Sequence, residues 1–101
     1  MSNLIKTMEK QLLRGAILKL CQEAGAEGIG TKILEISVKR MGYAVKPEDV
    51  IETCAYLEGK GFAVLRVIEN NVLNIRRELC SITAAGTDLL EGTITVEGIV
   101  I

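Results

Sequence analysis

The sequence predicts a single α+β domain, and two changes of pattern decide it. Up to Gly59, apolar residues recur at three- and four-residue steps, the period of helices with one buried face. From Phe62 the chain turns to runs rich in β-branched and aliphatic residues, the signature of strands. One hundred and one residues suffice for one core; a chain of this size buries roughly two-thirds of its unfolded surface. A composition that is 49% apolar and 25% charged argues against disorder.

The first helix is expected over residues 3–24. Ile5, Met8, Leu12, Leu13, Ala16, Ile17, Leu20 and Cys21 form its apolar stripe, and Gly25 suits the left-handed residue that ends a helix. Leu4 and Leu18 fall beside that stripe and predict a buried face wider than one small domain needs. Gly28-Ile29-Gly30 reads as a short extended segment. Thr31 is a candidate cap for a second helix over 31–41, with Ile33, Leu34, Val38 and Met41 inward and Lys32, Glu35, Lys39 and Arg40 outward.

Tyr43-Ala44-Val45 is expected to form a turn, and a third helix follows over 47–58. Pro47 fits the first helical position, where its missing N–H costs nothing, and Glu48 and Asp49 complement the positive end of the helix dipole. Val50, Cys54 and Leu57 are predicted inward, and Glu48, Asp49, Glu52, Thr53 and Tyr56 outward.

Residues 62–82 read as a β-hairpin turning at Asn70-Asn71, where asparagine tolerates positive φ. Its first strand is apolar on both faces, so something is expected to cover the second. Thr83 can cap a short helix over 84–91. The remaining residues, 93–101, are rich in Ile, Val and Thr and predict a tail strand. Helix, short strand, helix, helix, hairpin and short helix is the order of a winged helix-turn-helix, with the hairpin as its wing.

Charge and cysteine usage narrow the function classes. The net charge is −1, but residues 1–46 hold eight Lys/Arg against four Glu (+4) and residues 47–101 hold four against nine Asp/Glu (−5). An anion-binding surface therefore has to come from the N-terminal half or from the hairpin arginines. Cys21, Cys54 and Cys80 are odd in number and widely spaced among apolar neighbours, which predicts reduced core thiols. With no CxxC and no histidine, neither a metal site nor a cofactor is expected. No apolar run approaches a membrane span and no signal peptide is visible, so the expectation is a cytosolic protein without membrane contact.

Gly42-Tyr43-Ala44-Val45, the acidic helix after it, Tyr56-Leu57-Glu58-Gly59-Lys60-Gly61-Phe62, Ile82-Thr83-Ala84-Ala85-Gly86-Thr87-Asp88 and the ending Glu91-Gly92…Val96-Glu97-Gly98 together resemble a small winged-helix family encoded by Mu-like phages and prophages. The resemblance runs over nearly the whole chain and implies a winged-helix fold and a phage origin. It implies no established activity, since the family is known mainly as uncharacterised. The chain finishes in Ile99-Val100-Ile101 where a more basic end is usual in that family, which argues against DNA contact by the tail.

No enzyme is expected. Histidine is absent, no Gly-rich phosphate loop or nucleophile elbow appears, and Glu48, Asp49 and Glu52 read as helix-stabilising acids. No catalytic residue and no small-molecule ligand is inferred. Two functions compete. The first is binding of double-stranded DNA, of the transcriptional-regulator kind and mainly through phosphates. Lys32, Lys39, Arg40, Lys46, Lys60, Arg66, Arg76 and Arg77 are its candidate contacts, with Thr53 and Tyr56 as the only candidate base readers. The second is a winged-helix homodimer acting as a protein-interaction or phage assembly module. Its expected interface is Leu4, Leu18, Ile94, Val96, Ile99, Val100 and Ile101, the alternative being a tail packed on its own subunit.

Overall fold

The computed structural model describes residues 2–101. Four helices and a small antiparallel sheet follow one another as α1 (Ser2–Ala24), β1 (Ile29–Gly30), α2 (Thr31–Arg40), α3 (Pro47–Gly59), β2 (Ala63–Asn70), β3 (Ile75–Ile82) and α4 (Ala84–Leu90). The sheet order is β1-β3-β2. Ile29 and Gly30 pair with Cys80 and Leu79, and β2 pairs with β3 from Ala63↔Ile82 out to Asn70↔Ile75.

The core lies between the C-terminal half of α1, the inner faces of α2 and α3, and the base of the hairpin. Ile17, Leu18, Cys21, Leu34, Val38, Val50, Cys54, Leu57 and Cys80 are fully buried there, with Phe62, Ala63, Leu89 and Ile99 closing the edges. Cys21, Cys54 and Cys80, far apart in sequence, come together in this core as free thiols. Hydrogen bonding to Cys80, reinforced by burial, pushes the thiols of Cys21 and Cys54 far above the ordinary range, so they sit in the core as neutral groups.

Several expectations are corrected. The apolar stripe of α1 is two stripes. Leu13, Ile17, Leu18 and Cys21 face the core, whereas Leu4, Ile5, Met8 and Leu12 are exposed. At 3.6 residues per turn these two sets fall on opposite sides of the helix, so a shared three-four spacing does not make a shared face. Leu18 is therefore a core residue and not part of a dimer surface.

In α2, Ile33 and Met41 are exposed while Glu35 is buried, the reverse of the expected facing. The hydroxyl of Thr31 is not the cap, because Gly30 occupies that position without a side-chain hydrogen bond. Thr53 faces inward, its hydroxyl donating to the Asp49 carbonyl at 2.8 Å, which satisfies the group where it is buried.

The hairpin turns later than expected, through Asn71, Val72, Leu73 and Asn74. Asn74 carries the positive φ of 53°, and the Asn70 side-chain oxygen accepts from the Leu73 N–H at 3.0 Å. Among the described residues nothing covers the outer half of the hairpin, where Val67, Ile68, Val72, Leu73 and Ile75 are exposed.

The tail is not a strand. Its backbone finds a helix to bond to instead of a strand edge, the Val100 N–H donating to the Gln11 carbonyl at 3.1 Å. Gly15 makes this possible, since a Cβ there would overlap the Val100 carbonyl. Ile99 is buried in the chain's own core, Val96 packs against it, and Ile94, Val100 and Ile101 keep partial exposure. Docking on the same subunit removes Ile99 from any dimer surface.

Candidate functional site

Two surfaces compete for the role of site: the cleft beside α3, and the outer face of the sheet. The first is a groove of about 680 Å³ between α1, the turn at Tyr43–Lys46 and the N-terminal half of α3. One wall carries Lys6, Lys10 and Arg14 from α1, and the other carries Glu48, Asp49 and Glu52 from α3. The acids expected on the outward face of α3 thus face cations of their own chain. This geometry weakens α3 as a groove reader, because a recognition helix has to stand proud of its surroundings to enter DNA.

Pro47 opens α3, and the Asp49 carboxylate accepts from the Lys46 N–H at 2.8 Å, which ties down one of the helix's first donors. Both candidate base readers are already engaged. Thr53 is buried, and Tyr56 is half-buried under Arg14, whose guanidinium carbon sits 3.7 Å from the ring centre. Arg14 also donates to the Gly98 carbonyl at 2.7 Å, so one arginine joins α1, α3 and the tail. Gly98 has φ of 94°, and a Cβ there would strike the Tyr56 hydroxyl. Arg14 was not singled out from the sequence. Its role depends on a residue 84 positions away, and a lone arginine on a helix gives no hint of that partner.

The candidate phosphate contacts divide in the same way. Lys32 and Lys39 both bind Glu35, at 3.4 and 2.6 Å. The hydrogen bond from Lys39, helped by the charge of Lys32, holds the Glu35 carboxyl below the usual carboxylate range against the opposing effect of burial. Arg76 is held by Glu69 at 3.1 Å and Glu78 at 3.3 Å. Arg66 donates to the Glu27 carbonyl at 2.9 Å, and the Lys60 ammonium lies 5.7 Å from the Tyr56 ring centre. Among the described residues, Arg40, Lys46, Lys60, Arg66 and Arg77 form no ion pair with a carboxylate.

Register sorts the hairpin charges by face. Side chains alternate along a strand, so Ala63, Leu65 and Cys80 lie on the core side, and Val67, Glu69, Arg76 and Glu78 continue that face outward. Val64, Arg66, Ile68, Ile75, Arg77 and Leu79 share the opposite, outer face. The strands place two arginines there and no carboxylate, whereas both acids of the hairpin strands, Glu69 and Glu78, sit on the other face beside Arg76. Sequence reasoning grouped Arg76 with Arg77; adjacency in a strand separates them.

Among the described residues no cluster of His, Cys, Asp or Glu is placed to hold a metal ion, and no helix is long and apolar enough to cross a membrane. No protein-family model and no curated protein matches this chain.

Proposed function

We propose that the chain is a winged-helix module that lies on double-stranded DNA through phosphate contacts made by its wing and the flanking cations, without reading bases through α3. The observation that carries this reading is the outer face of the sheet, with Arg66 and Arg77 and no strand carboxylate. The element order and the β1-β3-β2 sheet are in keeping with a winged helix, and the sequence resemblance to winged-helix proteins of Mu-like phages points the same way. Lys60 and Arg40 extend the cationic set, and arginine on an apolar strand face supports a backbone contact independent of base sequence. A regulatory or packaging role on DNA would follow from where the protein sits and not from base recognition.

The test is a salt series of binding to mixed-sequence duplex DNA, read by fluorescence anisotropy. Affinity should fall steeply with salt, and Arg77→Ala should lower the log–log slope by about one, the signature of one lost phosphate contact. Arg76→Ala, already neutralised by Glu69 and Glu78, should leave the slope nearly unchanged. Absence of binding at low salt, or equal effects of the two substitutions, would refute the reading. One observation favours a second reading, a protein-contact or assembly adaptor: the wing tip is apolar, with Val72 94% and Leu73 64% exposed. On that reading DNA is not retained, and Val72→Ser with Leu73→Ser abolishes capture of the protein partner.

A further inference from the structure

We propose that the N-terminal half of α1 is a self-association surface whose occupant is the same half of α1 from a second copy, running antiparallel about a two-fold axis at Met8. This is independent of DNA binding and differs from the interface the sequence suggested, since Leu18 and Ile99 belong to the chain's own core.

The surface is built from Leu4, Ile5, Met8 and Leu12, which are 65%, 54%, 52% and 43% exposed. Together they offer on the order of 400 Å² of apolar area, as much as the largest patch on a typical monomer. Around Leu12 the patch continues into a shallow groove with Met41, Val100 and Ile101, also exposed. The whole approaches about 700 Å², close to the roughly 800 Å² each partner contributes to a standard stable interface.

Three features select a second copy as the occupant. Leu4, Met8 and Leu12 form an i±4 ridge that reads the same in both directions from Met8. A two-fold axis there sets Leu4 of each copy against Leu12 of the other, an isologous contact between ridges of the commonest helix-packing class. The ridge also carries no charge. Lys6, Glu9, Lys10 and Arg14, which are all the charged residues between positions 4 and 16, line the groove toward α3 instead. Two copies can therefore pair these ridges without burying an ion or opposing like charges, and the neighbouring groove carries one charge of each sign, Lys19 and Glu23. Finally, Asn3 to Lys10 are all exposed, so these turns of α1 contribute no buried residue to the domain's core. Short helical segments are marginal in water without a packed face, and a paired helix supplies one.

Sedimentation equilibrium on the full chain should give a mass near twice 10.9 kDa. Met8→Glu places two carboxylates on the axis and should weaken association by about 30-fold or more, as loss of a central contact does, while the far-UV circular dichroism stays that of a folded domain. Met8→Cys should be joined into a covalent dimer by a short bis-maleimide, and Val72→Cys at the wing tip should not; the native cysteines are buried and do not compete. A monomeric wild-type chain, a dimeric Met8→Glu variant, or crosslinking through Val72→Cys in place of Met8→Cys would each overturn the proposal. Salt-sensitive DNA binding by a monomeric wild type would overturn this inference alone, and a dimer that ignores DNA would refute only the proposed function.

Discussion

Within α1, residues 3–12 and residues 13–21 are built from the same kinds of side chain, yet one stretch is exposed and the other forms the centre of the core. Ile17, Leu18 and Cys21 meet α2, α3 and the sheet. Leu4, Ile5 and Met8 meet solvent, because they lie on the side of α1 opposite its core-facing residues. The hairpin repeats the contrast. Ala63 at its base is buried, and Val72 at its tip stands in solvent. Apolar periodicity thus marks a face that needs a partner, and chain geometry decides whether that partner is the same molecule.

The largest expected effect breaks the comparison directly. Ile17→Ala, at a fully buried site, should destabilise the fold by about 2–5 kcal/mol. Met8→Ala, measured at a protein concentration low enough to keep the chain monomeric, should stay within about 0.5 kcal/mol. Urea unfolding midpoints of the two variants test the contrast; equal losses would show that the first half of α1 is packed within the monomer.

Next is the boundary between the halves, where the tail crosses. Gly15→Val would drive a side chain into the Val100 carbonyl and should cost about 1–3 kcal/mol, the range for overpacking. Hydrogen exchange reads it locally. The Val100 amide should lose protection while the Leu57 amide keeps it, and unchanged protection at Val100 would place the tail elsewhere.

The smallest effect concerns Glu35, the buried acid of α2. Its carboxyl is held below the usual range by Lys39 and Lys32, so it favours the folded state above the carboxylate's ordinary pKa. That contribution disappears as the pH falls through the lowered folded-state value. Glu35→Gln should therefore narrow the difference in melting temperature between neutral and acid pH, and a difference as large as in the wild type would remove Glu35 from the acid response.

These contrasts also separate what was legible in the chain from what was not. Helix starts and stops were readable at Pro47, Thr83 and the glycines, because caps depend on residues within one turn. Strand register was not readable. A turn at Asn70-Asn71 and a turn ending at Asn74 share the same local chemistry, and only the full ladder from Ala63↔Ile82 to Asn70↔Ile75 fixes the difference. Register matters for the candidate site through partners and not through faces: the ladder sets Arg76 opposite Glu69, whereas a turn at Asn70-Asn71 would set it opposite Leu65.

The sequence by itself determined the local grammar of this protein: an α+β order of elements, their approximate limits, and a set of apolar and charged stripes. Those follow from forces acting over a few residues, such as hydrogen bonding along a helix, side-chain alternation in a strand and the conformational freedom of glycine. Only the tertiary structure decided which stripe is core, that Arg14 clamps Tyr56 to Gly98, that three distant cysteines meet, and that the tail lies over Gly15. Each of those joins residues far apart in the chain, and such contacts are selected by the packing of the whole domain and not by any segment of it.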